Sequence, residues 1–156
     1  MTTLIFPAVR KIRRAKARSV RPILEALEDR TLLSPVTWIG GSGDWNTGGN
    51  WSNGTGPGAS DDAIIDVAGV TVTHLVGSHT VQSLTINDPL TLSGGKLTVT
   101  GNLVQQNANP FTFSGGTLSQ ATVVGGAVLV ASGGTLDGVT LGATVAGVPM
   151  SATVQG

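Results

Sequence analysis

From residue 63 onward the chain alternates between short runs of apolar and β-branched residues and breaks made of Gly, Asn or Asp. The runs cover 63–65, 70–73, 81–86, 91–92, 97–99, 111–113, 122–124, 127–130, 139–141 and 144–145. Val, Thr, Ile and Leu dominate them, the residue types that suit a pleated, half-buried surface. No apolar period of 3.6 is sustained, and the density of glycine would penalise a helix repeatedly. The pattern predicts an all-β domain built from many short strands.

A repeat decides between the ways of arranging them. Ser93-Gly94-Gly95-Lys96-Leu97, Ser114-Gly115-Gly116-Thr117-Leu118 and Ser132-Gly133-Gly134-Thr135-Leu136 share S-G-G-x-L, with starts 21 and 18 residues apart. A period near twenty fits one coil of a parallel β-helix, or β-solenoid, with three short strands and three turns per coil. The glycine pair allows positive φ at one corner of each coil. The leucine after it points inward and stacks on its equivalents. Asn102, Asn107 and Asn109 are candidates to support other corners. An antiparallel sandwich or barrel is the alternative, with Asp137-Gly138 as its hairpin signal. The expected organisation is a segment 1–34, a Trp/Gly-rich cap at 35–62, and a solenoid of four to five coils at 63–156, cut short or open at its last coil.

The proposed cap is rich in turn residues and carries all three tryptophans, Trp38, Trp45 and Trp51. They can close the end of the core, or form a platform on which sugar rings stack. Asp44, Asp61, Asp62 and Asp66 raise a calcium reading, but no EF-hand or glycine-aspartate repeat loop accompanies them, and solvated turn acids are expected. Asn50-Trp51-Ser52 and Asn53-Gly54-Thr55 fit the glycosylation sequon, which matters only in a glycosylating host. His74 and His79 are expected to be exposed, separated by a turn at Gly77-Ser78, with no third ligand for a metal.

Charge separates the first 30 residues from the rest. Eight basic and three acidic residues give that segment +5, against −5 for the remainder, where Lys96 is the one base. Residues 10–21, RKIRRAKARSVR, should form a mobile basic tail. Residues 22–33, PILEALEDRTLL, read as a short amphipathic helix opened by Pro22 and ended before Ser34-Pro35. Phosphate contacts, an anionic membrane and export compete for the basic run. No folded base reader follows it, so nucleic acid is not expected as a partner. A conventional secretory h-region is missing, and no stretch approaches the length of a membrane span. Cysteine is absent, which excludes disulfides, thiolate metal sites and thiol catalysis.

The segment Leu24-Glu25-Ala26-Leu27-Glu28-Asp29-Arg30-Thr31-Leu32-Leu33-Ser34, after an Arg-rich run, resembles the N-terminal motif of planctomycete extracellular proteins. That resemblance implies export or surface attachment. A second resemblance covers about residues 37–145. Trp38-x-Gly40-Gly41-x-Gly43-Asp44-Trp45, Asn50-Trp51-Ser52 and Asp61-Asp62-Ala63-Ile64-Ile65 look like the opening of autotransporter-type, adhesin-like passenger regions. Residues 81–86 and 92–99 look like their glycine-rich strand repeat. It implies a right-handed parallel β-helix, secreted or on a cell surface and often adhesive. The C-terminal membrane barrel of that family is missing from this sequence.

The residue inventory argues against catalysis. Asp62 and Asp66 on one regular strand would lie about 13 Å apart, beyond the roughly 6.5–9.5 Å of an inverting carboxylate pair. No nucleophile elbow, phosphate loop or dinucleotide fingerprint is present. The expected function is a non-catalytic extracellular or cell-surface solenoid with a structural or adhesive role. It needs no cofactor or metal, its partner is the cell envelope or an extracellular polymer, and its open last coil can self-associate. A carbohydrate-binding module using Trp38, Trp45 and Trp51 is the alternative, and a secreted polysaccharide-active enzyme the third reading.

Overall fold

The structure, a computed structural model, describes residues 35–107, 109–125, 129–142 and 153–155. The expected basic tail, the short helix at 22–33 and the strand at 144–145 lie outside these residues.

The chain enters through β1 (Val36–Thr37) and β2 (Gly43–Asp44), then makes a 3-10 turn at Gly48–Asn50. The first full round comprises β3 (Asp62–Ile65), β4 (Val72–His74) and β5 (Ser78–Val81). The second comprises β6 (Ser83–Ile86), β7 (Leu90–Leu92) and β8 (Lys96–Val99). The third is β9 (Asn102–Gln105), β10 (Phe111–Phe113) and β11 (Thr117–Ser119). The fourth is β12 (Thr122–Gly125), β13 (Leu129–Ala131) and β14 (Thr135–Asp137). β15 (Thr140–Leu141) and β16 (Thr153–Gln155) extend two of the sheets.

Each strand of a round joins a different sheet. The sheets run β1-β3-β6-β9-β12-β15, β2-β4-β7-β10-β13 and β5-β8-β11-β14-β16, and neighbours within them are parallel throughout. The protein is therefore an all-β solenoid of about four turns. The expected cap segment 35–62 also contributes strands: Val36 pairs with Ala63 and Gly43 with Val72, so an incomplete round precedes the first full one.

The core is a set of columns. In register lie Val72, Leu90, Phe111 and Leu129; Leu84, Leu103 and Val123; and Leu97, Leu118 and Leu136. All of these are buried. β3, β6 and β8 alternate strictly, because successive side chains point to opposite faces and three closed sheets leave only one inside.

The S-G-G-x-L repeat marks one corner. Its step is the sheet register itself, since Lys96 pairs with Thr117 and Thr117 with Thr135. Ser93 and Gly94 both donate their N–H to the His74 carbonyl (3.0 and 3.2 Å), and Ser114 and Gly115 do the same to Leu92. A Cβ on Gly94 would strike the carbonyl oxygen of Leu75 in the coil before it. Gly95 has φ +70°, and a Cβ there would strike the Gly77 carbonyl oxygen. A second corner is supported by asparagine: Asn107 and Asn109 both donate their side-chain N–H to the carbonyl of Asn87. Asn102 instead lies exposed on β9.

One expected strand needed correction. The run 81–86 is not one strand: Val81 ends β5, Ser83 begins β6, and Gln82 turns the corner with its N–H on the Asp61 carbonyl. β5 itself, Ser-His-Thr-Val, carries too few apolar residues to be seen by pattern.

Gly138 and Gln120 occupy the same position in successive coils, with φ of +63° and +62°. A Cβ on Gly138 would meet nothing within 4 Å. Gly138→Ala should therefore cost about 1–2 kcal/mol, the left-handed backbone cost alone. Gly95→Ala should cost more, because it adds a backbone collision. Chemical denaturation of the two variants side by side measures the difference.

Candidate functional site: the tryptophan–histidine cap

The incomplete round before the first full one carries an aromatic stack. Trp38 continues β1, its N–H on the Ile64 carbonyl at 2.8 Å, and forms an antiparallel bridge with Trp51. Trp45 follows β2, its N–H on the Thr73 carbonyl at 2.9 Å. The ring centroids of Trp38 and Trp51 are 5.0 Å apart at 87°, and those of Trp45 and Trp51 are 4.7 Å apart at 68°. Both pairs are edge-to-face, which places a ring's positive edge on its neighbour's negative face. Two of the indole N–H groups are also satisfied: Trp51 Nε1 donates to the Trp45 carbonyl at 2.8 Å and Trp38 Nε1 to the Gly41 carbonyl at 3.0 Å.

Turn side chains hold the loop that carries these rings. Asp44 Oδ1 accepts from the Asn46 N–H at 2.7 Å, and Asn46 Nδ2 donates to the Val76 carbonyl at 3.2 Å, tying the loop to the first full round. Asn53 Oδ1 accepts from the N–H groups of Thr55 and Gly56. Thr71 donates its N–H to Ser42 Oγ.

Beneath Trp45 lie the two histidines, its centroid 5.9 Å from His74 and 6.4 Å from His79. The expectation that both are exposed is overturned. His74 is fully buried and His79 half-buried. His74 Nε2 and His79 Nδ1 are 2.9 Å apart, and His74 Nδ1 lies 2.9 Å from the Gly94 carbonyl. The corner at Gly77 puts them on β4 and β5, so both point inward. His74 stands in the column of Leu92 and Phe113, and His79 in that of Leu97, Leu118 and Leu136. A signal was available in the sequence. Gly77-Ser78-His79 is a degenerate copy of the G-x-L that closes each S-G-G-x-L, with His79 in the leucine position.

A carbonyl oxygen only accepts, so His74 carries its proton on Nδ1. Neutral His74 then accepts at Nε2, and His79 donates from Nδ1, leaving Nε2 as its basic nitrogen. Burial holds the His79 pKa below its usual 6.5; the nearby His74 adds to this and Asp44 opposes it.

The remaining candidates do not gather. Asp61 Oδ2 accepts from the Gly58 N–H at 2.8 Å and Asp62 Oδ1 from Ser83 Oγ at 2.5 Å. Among the described residues no group of three or more His, Cys, Asp or Glu is placed to hold a metal ion. Lys96 reaches Asp137 across 3.5 Å, both about half exposed, a pair of small energetic value. No described helix is long and apolar enough to cross a membrane.

No protein-family model matches the chain, and searches of curated proteins and of solved structures also return no match.

Trp38, Trp45 and Trp51 are no more than 2% exposed, which leaves no ring face on which a sugar could lie. Trp51→Ala should lower stability by about 3–5 kcal/mol, the usual cost of truncating a large buried aromatic. Denaturant unfolding followed by far-UV circular dichroism checks this.

Proposed function

We propose that this chain is an exported, cell-surface or extracellular β-solenoid with a right-handed coil, whose role is structural and adhesive rather than catalytic. The observation that carries the reading is the order of its outer faces. Thr73, Thr91 and Thr112 are in register on one sheet; Thr80 and Thr98 are in register on another, beside Thr117 and Thr135. Adjacent parallel strands lie about 4.8 Å apart, so hydroxyls recur at that interval along a rigid body. Such a row suits a repeating partner, an envelope or extracellular polymer, through many weak contacts that add.

Export is supported by the Arg-rich run and the segment at 24–34, which resembles the N-terminal motif of planctomycete extracellular proteins. The right hand is supported by the strong preference of parallel crossovers for that sense. The rival reading, sugars stacked on the tryptophans, is disfavoured by the burial of all three rings.

Fractionation with an antibody to residues 93–136 tests location. The product is expected in the surface or medium fraction, and a soluble cytoplasmic product would overturn the export reading. Retention on isolated cell envelope tests adhesion. A Thr91→Lys/Thr112→Lys double variant removes two hydroxyl contacts of about 1 kcal/mol each, so retention should fall at least tenfold with an unchanged melting temperature. Equal retention would overturn the row as the adhesive face.

A further inference from the structure

We propose that the aromatic cap is an acid-opened latch, held shut by the neutral His74–His79 pair on which Trp45 sits. The inference rests on the geometry of that pair and is independent of the adhesive reading. In every other described coil the two positions are apolar: Leu92, Phe113 and Ala131 in one column, Leu97, Leu118 and Leu136 in the other. Hydrophobic residues would serve the core better there. The first coil instead places two titratable rings in contact, 5.0 Å between centroids, at the one level where the cap seats.

The hydrogen bonds count the protons. With both rings neutral, His79 Nδ1–H donates to His74 Nε2 and His74 Nδ1–H donates to Gly94. One proton, on His79 Nε2, leaves both bonds intact. A second, on His74 Nε2, sets two N–H groups facing each other across 2.9 Å, and the bond between the rings is lost. The surroundings offer little relief. Asp44 on β2 is the carboxylate that acts on His79. From β7 and β8 the pair meets Leu92 and Leu97, while Lys96 runs outward to Asp137. Opening moves Trp45 off β5, which is the end strand of its sheet among the described residues.

The direction follows from linkage. The closed cap holds His79 below 6.5, so the open form binds the proton more tightly. The pair's contribution to closure is full above 6.5 and falls as pH drops from 6.5 through the closed-state value.

The reporter is built in, because all three tryptophans lie in the cap and the chain has no tyrosine. The full chain is titrated from pH 8 to pH 4 while the tryptophan emission maximum, acrylamide quenching and far-UV circular dichroism are recorded. The expected result is a red shift and increased quenching, with a midpoint below 6.5 and an unchanged circular dichroism spectrum. His79→Leu, which restores the residue of the column, should abolish the shift. His79→Asn, which keeps a donor near Nδ1 but cannot titrate, should do the same. A fall in intensity without a moved maximum or added quenching would overturn the latch, as would an identical transition in both variants. Loss of the β spectrum together with the emission change would also overturn it, since the whole coil would then be unfolding.

Discussion

No coil of this protein can bury its own apolar side. A strand of three or four residues, such as β10 or β4, directs one or two side chains inward, and these find apolar neighbours only in the coils before and after. Register is therefore the constraint on which everything else depends. Leu97 packs because Leu118 stands beside it at the same level, and Leu118 because Leu136 does. A slip of one residue would turn the whole column to solvent. The glycine corners serve that register. They bring the backbones of consecutive coils closer than a Cβ allows and let carbonyls such as that of His74 accept two N–H groups at once.

Stacking of this kind has a cost at each end, where a coil has a neighbour on one side only. At the N-terminal end of the described residues the problem is met by a loop that carries large rings. Two short strands add an incomplete round, and three tryptophans, held edge to face and hydrogen-bonded through two of their indoles, close the core. Large rings suit this because they cover much apolar area from a loop whose backbone is otherwise turns. The histidine pair lies at the junction between this plate and the first regular column. The transition from loop to repeat is thus also a place where polar groups enter the interior.

The outer surface follows from the same register. Whatever the inward columns impose, the alternate residues repeat outside, so Thr73, Thr91 and Thr112 form a row for the same reason that Val72, Leu90 and Phe111 form a column. The function proposed for the chain rests on that enforced outer order.

The repeat of S-G-G-x-L and the β-branched runs determined the solenoid class, the corner glycines and the inward leucines, because each is a local requirement met by residue type. The same chemistry placed the tryptophans at the end of the core by their position before the first run. Tertiary structure alone decided the rest. Val81 and Ser83 belong to different strands because Gln82 turns where the Asp61 carbonyl waits, a partner 21 residues away. β5 forms from a polar sequence because β8 supplies a template in register. His74 and His79 look like surface residues by composition, yet His74 is buried and His79 half-buried, because in the stacked coil they stand in apolar columns. Period and turn chemistry are written in neighbouring residues, whereas burial and pairing across a coil are set by chain that lies about twenty residues away.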